Sequence, residues 1–124
     1  MNKYRDKSDF EINKAVAIVL GYTVEFENEV ATLFRNNNED VTLWVSKTGE
    51  NFDPCNNPAD AMPIVIENGI SLIFDTGCKA WVAGIAYWVD GCEWQISYEV
   101  ERMNQYRAAM ELFLMMKDAE NEKI

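Results

Sequence analysis

The side chains of this chain that could do chemistry are carboxylates and thiols. Glu25, Glu27 and Glu29 alternate in sequence, and an extended backbone would send all three to one side. Such a row could hold a divalent cation or imitate a phosphate backbone. Its simplest reading is a solvated edge-strand face, where charge also discourages edge-to-edge pairing. Asp53, Asp60 and Glu67 form a second set with the chemistry to hold magnesium, as a carboxylate-based metal-dependent enzyme acting on nucleic acid or nucleotides requires. An acidic chain always offers such sets, and Asp60 has a competing role as a helix cap. The three cysteines, Cys55, Cys78 and Cys92, contain no CxxC pair, and histidine is absent. Zinc would need three thiolates and a carboxylate from scattered positions, and a cysteine nucleophile would lack its usual base. The cysteines therefore read as free, mostly buried thiols.

GxSxG, P-loop, GxGxxG, HExxH and EF-hand patterns are all missing. No residue is assigned a catalytic, cofactor-binding or metal-ligating role, and no cofactor is expected. The residues best suited to recognising a partner are Glu25, Glu27 and Glu29 together with Trp44 and Trp88, two tryptophans expected on the surface.

The net charge of −10 narrows the class of partner. Basic against acidic residues run four to three up to Gly21, two to eight through Asp60, one to five through Glu99 and four to five beyond it. The middle of the chain is the acidic part. Its field repels phosphate backbones, so direct nucleic-acid binding is not expected, and aromatic residues are not interleaved with basic ones as a nucleic-acid platform needs. The charge suits solubility first and a basic partner second.

These groups must be positioned by a recognisable set of elements. Ser8 with Glu11 three residues on is a capping box, and Ile12, Val16, Val19 and Leu20 then share one helical face that ends at Gly21. Val24–Asn28 reads as extended, followed by strands at Ala31–Arg35 and Val41–Ser46, with the loop Asn36–Asp40 between them. A central helix starts at Pro58 behind an Asn57 cap and kinks at Met62, or it starts at Ala61 behind Asp60 with Pro63 in its first turn. Asn68 and Gly69 end it, and Ile70, Leu72 and Phe74 follow at the period of a strand.

Two turns then set a register. Thr76 and Gly77 in a tight turn pair Leu72 with Trp81 and Ile70 with Ala83. Asp90–Gly91 is a strong two-residue hairpin signal that pairs Tyr87 with Trp94, Ile85 with Ile96, Ala83 with Tyr98 and Trp81 with Val100. Both put Trp81, Ala83, Ile85 and Tyr87 on the apolar face. The opposite face is expected to be mostly wet, with Glu93, Gln95, Ser97 and Glu99 against Val82, Gly84, Ala86 and Trp88. The last helix runs from about Asn104 to Asp118 with a stripe of Tyr106, Ala109, Met110, Phe113 and Leu114. Leu112, Met115 and Met116 lie beyond that stripe, which implies either two covering layers or a contact through this helix with a partner or, in a homo-oligomer, another subunit.

The run Asn56, Asn57, Pro58, Ala59, Asp60, Ala61, then Pro63, Ile64, Val65, then Asn68, Ile70 and Ser71, resembles the central motif of the NinX-like family of lambdoid phages and enterobacterial prophages. The runs Ser8–Ala17 and Arg107–Met116 are similar to the two ends of that family. The resemblance implies a phage accessory protein made in the host cytoplasm, and it carries no molecular activity to any residue.

At 124 residues the chain is long enough for one domain, 1–124, with its own core and no staple. No run of eighteen apolar residues and no signal peptide is present, so neither a membrane span nor export is expected. The expected fold is α+β: a three-stranded antiparallel meander plus a hairpin, covered on one face by N-terminal, central and C-terminal helices. The expected function is binding, without catalysis, to a host or phage protein that is itself basic, with the metal-dependent enzyme as the alternative.

Overall fold

Ser8 opens the first helix as its spacing to Glu11 predicts: its hydroxyl accepts the Glu11 N–H at 3.1 Å, and α1 runs Asp9–Val19. Gly21 ends this segment with a φ of +100°. The computed structural model describes residues 2–27, 31–36 and 41–122, the side chains of Phe26 and Glu27 excepted. Through these residues the order is α1, β1 (Tyr22–Glu27), β2 (Ala31–Asn36), β3 (Thr42–Ser46), α2 (Pro58–Glu67), β4 (Ser71–Asp75), β5 (Ala80–Val89), β6 (Glu93–Arg102) and α3 (Gln105–Glu122).

The architecture is α+β, with two three-stranded antiparallel sheets in the orders β1-β2-β3 and β4-β5-β6. The expected hairpin is thus part of a second meander. The helices form no single layer on one sheet. Helix α1 packs on the first sheet, α3 packs on β5 and β6, and α1 and α2 both pack on α3. Helix α1 therefore serves two cores. Ile12 and Val16 join α2, α3 and the second sheet in the larger core, while Ala17 meets Phe34 and Val45 of the first sheet in the smaller. This corrects the expected apolar face of α1: Val19 and Leu20 are exposed, and the buried set is Ile12, Asn13, Val16 and Ala17.

Asn57 caps α2, accepting the Ala59 N–H at 2.9 Å, with Pro58 at the first position. The longer helix forms, and Pro63 is accommodated inside it. Asp60 is not the cap; its Oδ2 accepts the Asp53 N–H at 2.9 Å and holds the incoming loop. Gly69, at φ +65°, allows the Ile70 N–H to return to Val65 O at 3.0 Å and close the helix.

Helix α3 begins behind Asn104, whose Oδ1 accepts the N–H groups of Tyr106 and Arg107. Every residue from Ala108 to Leu114 is buried, because sheet strands cover one side of the helix and helices cover the other. The apolar surplus of α3 is thus covered within one chain along that stretch.

The second sheet departs from the expected pairing at both turns. Residues 76–79 make a four-residue connection in which the Asp75 carboxylate accepts the N–H groups of Gly77 and Cys78, and Leu72 faces Ala83 while Phe74 faces Trp81. That offset is two residues, so the face is unchanged. The β5–β6 turn has three residues, with Gly91 at φ +76°, and its offset is one residue. Trp88 faces Trp94, Ala86 faces Ile96 and Ile85 faces Ser97. A bulge restores the core register, since Ala83 faces Val100 and Trp81 faces Arg102, with one extra residue on β6 and Tyr98 at φ +59°.

Candidate functional site

The one-residue offset has a chemical result. Residues 81, 83, 85 and 87 keep the side facing α3, as their parity predicts, and Ala83 with Val100 lies in the core. Trp94 and Ile96, however, do not join them. They lie with Val82, Gly84, Ala86 and Trp88 on the face turned away from α3, while Gln95 and Ser97 take the places expected for Trp94 and Ile96. The face expected to be mostly wet is therefore apolar, exposed at Trp88 and Trp94 and half-buried at Val82, Ala86 and Ile96. Trp94 is 68% exposed and Trp88 52%, their rings meeting edge to face at 5.4 Å, and Ile73 of β4 is exposed on the same face.

The packing on this face is tight at its centre. The Ile96 side chain lies directly over Gly84, so that a β-carbon at Gly84 would fall 2.2 Å from Ile96 Cγ1. Gly84 thus supplies the space that lets Ile96 cross the sheet beside the bulge. This mid-strand glycine is the mark in the sequence from which the bulge, and with it Trp94 and Ile96, could have been found.

Asp75 and Glu101 stand at the margin of the face, on the parity of Ile73 and Val82. A carboxylate oxygen of Asp75, the Cys78 thiol and a Glu101 carboxylate oxygen lie within 4.8 Å of one another, the one set of three potential metal ligands among the described residues. Turn chemistry accounts for it. The two backbone N–H groups hold the Asp75 carboxyl below the usual carboxylate range, and its hydrogen bond and charge, with the charge of Glu101, push the Cys78 thiol up.

A polar cleft of about 200 Å³ forms between α1 and the loop leading to α2. Asn13, almost fully buried, donates to Asp53 Oδ1 at 2.8 Å and accepts the Cys55 N–H at 3.2 Å. Asn56 donates to both Asp53 and Asp9, and accepts from Asn104 at 2.8 Å. These bonds satisfy one another and bind the loop to α1 and α3, which gives the cluster a positioning role. Asp53 and Asp60 are neighbours here, but Glu67 lines a different pocket with Val19 and Phe113. Among the described residues no three carboxylates converge in one cleft.

The remaining predicted site residues are dispersed. Glu25 is exposed and pairs with Arg35 at 3.1 Å, at a register irregularity between Val24 and Phe26 that interrupts the even alternation. The Glu27 side chain and Glu29 lie outside the described residues. Trp44 is 43% exposed on β3, in the other sheet from Trp88. Of the cysteines, only Cys55 is buried, and burial, reinforced by the charge of Asp9, pushes its thiol far up; Cys78 and Cys92 are exposed, against the expectation of mostly buried thiols. Among the described residues no helix is long and apolar enough to cross a membrane.

Residues 3–117 match the family model described as "Bacteriophage P22, NinX". No curated protein and no solved structure matches the chain.

Proposed function

Because the chain belongs to the NinX family of bacteriophage P22, we propose that it is a phage or prophage accessory protein that works in the host cytoplasm by binding a host or phage protein, without catalysing a reaction. The observation that supports this reading is the exposed apolar face of the β4–β6 sheet around Trp88 and Trp94. A contiguous apolar patch of this kind is the usual mark of an interaction site, and tryptophan is among the residues that carry most of the energy of such contacts. Trp88 belongs to this face, and Trp94, Ile73 and Ile96 complete it. The metal-dependent alternative needs at least three converging carboxylates, which the described residues do not bring together.

The test is an affinity pull-down of the tagged protein from infected and uninfected host lysates, with Trp94→Ser beside the wild type and mass spectrometry of what is retained. Trp94 is so exposed that the variant folds normally, which circular dichroism checks. A protein retained in stoichiometric amount by the wild type and lost from Trp94→Ser supports the reading. Retention of no protein that depends on Trp94 overturns it.

A further inference from the structure

Resting on that protein-binding reading, we infer that the partner of the β4–β6 face is a different protein whose contact surface is apolar at its centre and rich in lysine or arginine at its rim. The centre of the face is fixed by Trp88, Trp94, Ile96 and Ile73. Its rim is acidic. On the parity of this face lie Asp75, Glu99 and Glu101, with Asp90 in the β5–β6 turn, while Glu93, opposite Val89, falls on the α3 side; the basic residues between Ser71 and Arg102 are Lys79 and Arg102. Arg102 does not offset them on the surface, because its guanidinium turns under the sheet and binds the buried Glu111 through two hydrogen bonds of 2.9 and 2.6 Å. Arg107, the next basic side chain along the chain, is likewise held by Glu111 and by Asp9. Arg102 and Arg107 are thus directed into the molecule, and Lys79, with Arg5, which lines a pocket with Asp6 and Glu101, stands against Asp75, Asp90, Glu99 and Glu101.

That distribution decides between occupants. A second copy docked through the same face would bring two acidic rims together and add to a net charge of −10 per chain. Anionic lipid and nucleic acid are disfavoured by the same field. A basic rim around an apolar centre matches both parts of the surface, with the tryptophans supplying the anchor and the carboxylates supplying steering and register.

The experiment measures binding of the Trp94-dependent protein recovered from lysate, purified, to the wild type and to the double variant Asp75→Asn/Glu101→Gln. It is run at about 0.1 M and about 1 M salt, where the Debye length falls from about 10 Å to about 3 Å. Sedimentation of the isolated wild type and Trp94→Ser runs in parallel. A partner with a basic contact surface, bound at least about ten-fold more weakly in high salt and several-fold more weakly by the double variant, is the expected result. Binding that depends on Trp94 but is indifferent to salt and to the two rim carboxylates overturns this inference and leaves the protein-binding reading standing. A concentration-dependent dimer that Trp94→Ser abolishes identifies a second copy as the occupant and overturns it too. Failure to recover any Trp94-dependent protein overturns both.

Discussion

Arg107 reaches Glu111 one turn further along α3, Nε to Oε2 at 2.6 Å, and its other nitrogens bind Asp9 at the start of α1 and the carbonyls of Tyr4 and Lys7. Glu111 is fully buried in the most apolar stretch of the helix and also accepts from Arg102 and from Asn2, the latter at 2.7 Å. Glu111 and Arg107 together thus tie α3 to α1, to β6 and to the N-terminal lead. A buried carboxylate is tolerated because its oxygens are occupied by charged and polar donors.

Glu111→Gln removes that charge, leaving Arg102 without its counter-ion and Arg107 with Asp9 alone. Breaking a buried ion pair on one side costs about 3–5 kcal/mol, and the expected loss of stability is near the lower end because Arg107 keeps Asp9. Equilibrium denaturation in urea measures it. A change below about 0.5 kcal/mol would show that the Glu111 charge adds no net stability.

The same carboxylate sets part of the acid stability. Burial raises its pKa, but hydrogen bonds from Arg102, Arg107 and Asn2 outweigh burial and hold the carboxyl below its ordinary value of 4.5. A depressed native pKa means that the unfolded chain binds the proton more readily. The stabilisation is therefore present above the ordinary value and lost as pH falls from it through the native one. Melting temperature followed below about pH 5 should fall more steeply for the wild type than for Glu111→Gln. Parallel curves would remove Glu111 from the acid transition.

Gly84→Ala places a methyl group where Ile96 already lies, with the Ser97 carbonyl oxygen 2.9 Å away. The overpacking should cost about 1–3 kcal/mol. Ile96→Ala in the same chain should recover part of it, so the two changes combine less than additively. Thermal melts of the two single variants and the double variant provide the cycle, and strict additivity would contradict the contact.

Alkylation separates the three thiols. Iodoacetamide at about pH 8 should modify Cys78 and Cys92 in the native protein and spare Cys55, which is buried with its thiol pushed far up. Asp75→Asn should speed modification of Cys78, because it removes the hydrogen bond and charge that keep that thiol protonated. Peptide mass spectrometry over time reads both effects. Cys55 modified as fast as the other two would place it at the surface.

Much of the fold is carried by short-range chemistry that the amino-acid order states openly. The caps at Ser8, Asn57 and Asn104, the stop at Gly69, the strand periods and the parity of residues 81–87 all depend on groups within a few residues of one another. The sequence by itself therefore determined the α+β class, the existence of its helices and of most strands, and the family motif around Asn57–Val65.

Only the tertiary structure decided which faces those elements show. The pairing of β6 depends on one extra residue in the 90–92 turn and another at the Tyr98 bulge, each of which flips alternate side chains to the opposite face. Trp94 and Ile96 moved from the expected core to the surface on that account. Val19 and Leu20 were left exposed because α1 is shared between the first sheet and α3. Glu111 acquired its partners from residues as far as 109 positions away. Local spacing cannot encode such contacts, because their energies arise only when distant segments exclude water together, and the candidate binding face is built from them.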